Sequence, residues 1–208
     1  MIHKFLFLFA FFLLSTSQAQ DFCVADLKSA QTPSGYPCKS PKTLTVDDFV
    51  FSNLRAGNTS ANPFKISLTP AFVDEFPAVN GLRLSAARLD MDVGGVVPMH
   101  SHSNTNELLI VLSGHITAGF ISSDNTVFVT TLSKGKVMVF PQGLLHFQIN
   151  AGGGKASAFL SFNSENPGAQ ILDLALFSNN LDSSFVGKTT LLDIAQIKKL
   201  KRIFGGRG

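Results

Sequence analysis

The sequence predicts an all-β protein, a sandwich or barrel of short strands followed by a helical tail. Three observations carry that reading. From Gly81 onward, short apolar runs alternate with clusters of Gly, Ser, Asn, Asp and Pro, the spacing of strands and turns. Only the last stretch has a clear helical period. The composition, 45% hydrophobic and 15% charged over 208 residues, is too apolar and too weakly charged for a disordered chain.

The first element is not part of the fold. Lys4 precedes an unbroken apolar run, Phe5–Leu14, and Ser17 and Ala19 stand at the −3 and −1 positions of a cleavage before Gln20. That is the three-part pattern of a secretory signal peptide over residues 1–19. The run is too short for a hydrocarbon core that needs about 20 apolar residues, so no membrane association is expected after cleavage. Removing the segment takes away only Lys4 and leaves a mildly basic chain. It has no stripe of Lys and Arg with interleaved aromatics, so nucleic acid is not an expected partner.

Residues 20–60 read as a loop-rich arm. Cys23 and Cys38 are the only cysteines and flank a segment rich in Ser, Pro and Gly. In an oxidising compartment they are most simply a disulfide, worth about 3 kcal/mol by loop entropy. A metal pair would call for closer spacing and more thiols. Asn58-Thr59-Ser60 is an N-glycosylation sequon in a polar stretch. Leu44–Leu54 and Phe64–Phe76 are mixed in character, with Pro70 and Pro77 breaking any long element.

Seven strands then follow: Leu82–Met91, Glu107–Leu112, Ile116–Ile121, Thr126–Leu132, Lys136–Phe140, Leu145–Ile149 and Ala156–Phe162. Leu108–Leu112 is apolar on both faces, so something must cover its outer side, and oligomerisation is the expectation. Ile171–Phe177 is ambiguous between strand and helix. Leu191, Ile194, Ile197, Leu200 and Phe204 recur at helical steps, with Thr190 and Asp193 as a capping pair and Gly205 as the stop. Lys198, Lys199, Lys201 and Arg202 in the last turns suit the helix dipole and read as a solvated face. Attraction to anionic cell-wall polysaccharide is the alternative reading of that cluster.

The chemistry lies in two compact motifs, Gly94-x5-His100-x-His102-x4-Glu107-x6-Gly114 and Gly135-x5-Pro141-x-Gly143-x2-His146-x3-Asn150. Strand residues two apart share a face about 7 Å apart, so His100 and His102 can converge on one ion. Glu107, beyond the polar turn Ser103–Asn106, can return to the site from a neighbouring strand. His146, after a Pro-x-Gly turn, would add a fourth ligand from across the barrel. Three imidazoles and one carboxylate suit Mn, Fe, Co, Ni or Zn. A lone His-x-His is usually a pair of partly exposed histidines, but the turn-bounded Glu107 and His146 favour a metal. His115 lacks such a context and reads as a surface residue or one that supports the ligands from behind.

The two motifs resemble, without gap or substitution, the two boxes of plant germins and germin-like proteins of the cupin superfamily. The likeness extends through Phe22–Leu27, Ser34–Cys38 and Phe140–Gln148, and Gly94–Met99 and Leu172–Phe177 look most like the branch described as auxin-binding proteins. This resemblance implies a single cupin β-jelly-roll barrel over residues 61–178, with the disulfide-pinned arm before it and a C-terminal helical segment over 179–208. It implies Mn held by His100, His102, Glu107 and His146, a hexamer built as a trimer of dimers, and a secreted glycoprotein of the apoplast and cell wall. The activity it implies is superoxide dismutation producing hydrogen peroxide in plant defence or development, with Asn150 or Gln148 orienting a water. Binding of auxin or another small carboxylate without turnover, or a structural wall role, are the alternatives. The asparagines associated with oxalate oxidation fall at Ala87 and Val97, which cannot hydrogen-bond a carboxylate, so that activity is not expected.

Overall fold

The structure, a computed structural model, describes residues 21–208; the expected signal peptide lies outside the described residues. Among the described residues, ten strands form two antiparallel five-stranded sheets that face each other as a jelly-roll barrel. The first sheet orders β1 (Ile66–Ala71), β2 (Ser85–Met91), β9 (Ala156–Phe162), β4 (Glu107–Ser113) and β7 (Val137–Phe140). The second orders β10 (Gln170–Ile171), β3 (Val96–Ser101), β8 (Leu145–Asn150), β5 (His115–Ile121) and β6 (Val127–Ser133). All seven expected strands are present, shifted by up to three residues at their ends. Three strands, β1, β3 and β10, are not among the expected seven, and β1 contains Pro70. It lies at the edge of its sheet, where a residue without an N–H costs no ladder bond on the open side.

The core fills the space between the sheets. Leu89, Met91, Leu109, Val111, Ile116, Phe140, Leu160 and Phe162 are each at most 5% exposed. They come from strands with a period of two, so each strand turns its other face outward. On β4 those outward residues, Leu108 and Leu112, are exposed, beside exposed Val137 and Val139 of β7. The doubly apolar strand is thus buried on one face and open on the other within the single chain.

The arm is held by the Cys23–Cys38 disulfide and by a bridge between Ala25 and Cys38. At the other end, Ile171–Phe177 resolves into a strand end and helix α1 (Leu172–Phe177), followed by α2 (Ser183–Thr190) and α3 (Ile194–Phe204). The last helix starts later than the periodicity suggests. Leu191 is the left-handed C-cap of α2 and is 92% exposed, while Asp193 alone caps α3, accepting from the amides of Ala195 and Gln196. The basic cluster is also divided: Lys198, Lys199 and Arg202 are exposed, but Lys201 is buried and donates to the carbonyls of Asn179, Leu181 and Arg207. No helix among the described residues is long and apolar enough to cross a membrane.

Candidate metal centre

Strand β8 explains why a polar site sits inside an apolar barrel. It reads Leu-His-Phe-Gln-Ile-Asn, and its inward, fully buried positions are His146, Gln148 and Asn150. The usual alternation is inverted. On the adjacent β3, an extra residue between Val97 and His100 forms a bulge at Pro98-Met99, which brings His100 directly opposite His146. Their rings lie 4.1 Å apart. His102 follows the end of β3. The Ser103–Asn106 loop then crosses to the opposite sheet, where Glu107 opens β4. The carboxylate is therefore the ligand from across the barrel, and His146 the neighbour of His100, the reverse of the arrangement expected from spacing.

His100, His102, Glu107 and His146 are all buried, and one ligand atom from each lies within 4.8 Å of the others. The imidazoles are oriented from behind. The Nδ1–H of His100 donates to the Pro98 carbonyl (2.8 Å) and that of His146 to the Leu144 carbonyl (2.9 Å); His102 donates to Gly168. A carbonyl can only accept, so each Nδ1 carries the proton and each Nε2 lone pair faces the cluster. Glu107 Oε2 lies 3.1 Å from His102 Nε2 and 3.4 Å from His146 Nε2, while Gln148 Nε2 donates to Oε1 at 3.2 Å. Lone pairs converging on one carboxylate oxygen need a cation between them, so the donor set fits a divalent metal.

The electrostatics of His100 and Glu107 agree with that requirement. Burial, with a contribution from His146, pushes His100 down to about 4, which keeps it neutral. Burial alone would raise Glu107, but its close approach to the His102 and His146 rings, which can take up a proton on the facing Nε2, outweighs it and holds the carboxyl at about 2. For His102 burial acts downward, and the neighbouring Glu107 carboxylate and Gly168 carbonyl overcome it and raise the value, so in metal-free protein a proton competes for the same Nε2 lone pair.

A family model described as Cupin matches residues 52–198. The chain is 58% identical over 209 residues to auxin-binding protein ABP20 of Prunus persica, spanning 99% of this chain and 97% of that protein. It is 54% identical over 208 residues to germin-like protein subfamily 3 member 1 of Arabidopsis thaliana, spanning all of both. The chain is a germin-like cupin. Among solved structures, an oxalate oxidase superposes with a TM-score of 0.85 at 34% identity, covering 90% of this chain and 96% of that one.

In this germin-like cupin a cavity of about 390 Å³ opens beside His100, His102 and Glu107. Its walls are mostly apolar, among them Phe64, Ile66, Leu89, Val97, Leu160 and Phe162. Gln148 lines the cavity. Asn150 does not stand among the lining residues; its amide donates to the carbonyls of Met91, Asp92 and Gly154, which knits two loops together. Val97 is in the cavity wall and Ala87 in the core. His115 is exposed at the start of β5. Asn58 is exposed and its Oδ1 accepts from the amide and hydroxyl of Ser60.

Two features of the site escaped the sequence reading. The loop at Pro167–Gly168, which supplies the His102 acceptor, has no polar signature; its one cue is Gly168, whose φ of +54° favours glycine. Phe140 stacks on His146 with centroids 4.7 Å apart, and Phe162 meets His102 edge-on at 5.4 Å. Both Phe residues end strands that pair with Glu107, a relation visible only once the register is known.

Proposed function

We propose that this germin-like cupin is a manganese protein that dismutes superoxide to dioxygen and hydrogen peroxide. The observation that carries the reading is the set of three Nδ1-anchored imidazoles and one Gln-anchored carboxylate. Four protein donors leave room on a six-coordinate ion for a small anion. Manganese in that set would supply one-electron chemistry between its +2 and +3 states. The chain's own contribution is to keep His100 neutral, hold Glu107 ionised and surround the site with apolar walls. Two superoxide ions and two protons then yield one dioxygen and one hydrogen peroxide, with Gln148 placed to orient a water. Metal content measured on the purified protein, with superoxide and oxalate assayed side by side, tests this. Dismutation lost in His102→Ala is the expected result; full activity in that variant, or none in the metal-loaded parent, rejects the reading. Oxalate turnover is expected to be absent because Val97 and Ala87 offer no hydrogen bond to a second carboxylate.

The cavity favours a second reading. About 390 Å³ of apolar space is far more than superoxide needs, and it suits an apolar monocarboxylate, such as an auxin, with its anionic end at the metal. Saturable binding of indole-3-acetate to metal-loaded protein, absent from metal-free protein, is the corresponding test.

The same proposal places the mature protein outside the cell, in the apoplast and wall, after removal of residues 1–19, with the arm ending near residue 60 and the barrel near residue 178. Exposed Asn58, in a 3-10 turn with Ser60 against it, is the glycosylation site; Asn58→Gln should remove the glycan mass from secreted protein. The uncovered outer face of β4 and β7 supports a hexamer. The exposed Lys198, Lys199 and Arg202 remain available to anionic polysaccharide.

A further inference from the structure

Three loops leave the same end of the first sheet and surround the metal cluster. Ser103–Asn106 joins His102 to Glu107, residues 141–144 lead from Phe140 to His146, and residues 163–168 lead from Phe162 to the carbonyl that holds His102. Phe140 and Phe162 are the two strand partners of Glu107, so all three loops start beside it. One exposed residue links them. The backbone N–H of Asn106 donates to Asn163 Oδ1 at 2.7 Å, and Asn106 Oδ1 accepts from the backbone N–H of Gln142 at 3.0 Å. Gln142 Nε2 closes the ring by donating to the Ser103 carbonyl at 2.9 Å, and the next residue, Gly143, donates its N–H to the His102 carbonyl at 2.8 Å.

From this geometry we propose that Asn106 is a positioning residue for the metal cluster, the clasp that fixes the loops of His102 and His146 against the strand of Glu107. It touches no ligand atom and acts through backbone. The inference rests on the metal reading above. Its physical basis is that Glu107 and the two histidines belong to separate segments. Their donor atoms stay convergent only while the loops keep their relative positions, and mutual repulsion of the lone pairs works against that in the absence of a cation. The only side-chain atom of Asn106 in the ring is the acceptor Oδ1. Aspartate supplies the same atom at the same position, whereas alanine removes it. Asn163→Ala cuts the other arm while leaving Asn106 in place.

The experiment is a chelator-competition titration of Mn(II) and Co(II) with full-length mature protein, together with the Co(II) absorption spectrum and the melting temperature of each metal-free variant. Asn106→Ala and Asn163→Ala should each weaken both metals by about tenfold, the scale of lost outer-shell support, and alter the Co(II) bands. Asn106→Asp should restore affinity and spectrum. An Asn106→Ala protein with parental affinity and spectrum overturns the proposal. So does one that only melts earlier, or an Asn106→Asp protein as weak as Asn106→Ala. If the parent takes up neither metal, the metal reading itself fails; parental binding with no effect of the variants removes only the clasp.

Discussion

Gln148 has the most consequential single hydrogen bond in the site. Its amide binds Glu107 Oε1 and leaves Oε2 directed at the histidines, inside a region where both residues are at most 2% exposed. Gln148→Leu keeps the volume but removes the donor, so metal affinity should fall about 10- to 100-fold in a competition titration, with the fold retained. Acid sensitivity follows from the same residues. His100 is held at about 4 against an ordinary 6.5, so the unfolded chain binds more protons between those values. Its contribution to stability is complete above 6.5 and is lost as pH falls towards 4. Glu107, held at about 2 against 4.5, loses its contribution from 4.5 downward. His102, raised, works in the opposite sense: its contribution is present below 6.5 and fades as pH rises. The melting temperature of metal-free protein should therefore fall from pH 6.5 to pH 4, and His100→Gln should flatten that slope. The ligands themselves were legible as residue types at turn-bounded spacings. Their anchoring was not, because the three Nδ1 partners are backbone carbonyls, which carry no residue identity.

At the scale of elements, strands were read well where turn residues bound them, since a short apolar run between Gly and Asn clusters has few other folded forms. The failures are physical as well. Pro70 marks a break in an isolated sequence but is tolerated on an edge, and edge position is a property of the sheet. Leu191 continues the spacing of α3, yet a left-handed turn at that residue separates α2 from α3. The bulge at Pro98-Met99, which aligns His100 with His146, needs the β8 partner before it can be seen. Lys201 belongs here too. Among exposed basic neighbours it looks interchangeable, but it is buried and its ammonium donates to the carbonyls of Asn179, Leu181 and Arg207. Lys201→Met should cost about 2 kcal/mol, because the charge-assisted hydrogen bonds that tie the C-terminal segment to the turn at residues 179–181 are lost. Asp193→Ala, which removes an exposed cap, should cost about 1 kcal/mol. Denaturant titrations of the two variants test both the sizes and their order.

The whole molecule presents an outer surface that a solitary barrel would not need. Leu108 and Leu112 on β4 and Val137 and Val139 on β7 are 38–51% exposed and form one apolar face over adjacent strands. The residues that alternate with them on β4, Glu107, Leu109 and Val111, point inward to the metal cluster and core and are at most 2% exposed. The period of two separates the jobs: one strand carries a site on one side and an apolar surface on the other. This was visible in sequence as a strand apolar on both faces, although the sequence alone did not show which face was free. If the outer face is covered by another copy of the chain, a charge there should break the assembly without disturbing the site. Val139→Lys, half-exposed in the single chain, should therefore lower the particle mass in light scattering while metal content stays at the parental level. Leu109→Lys, its inward counterpart, should unfold the barrel and lose metal and assembly together. A Val139→Lys protein of unchanged mass would remove this face from the interface, and one that loses metal as well would show that assembly and site are coupled.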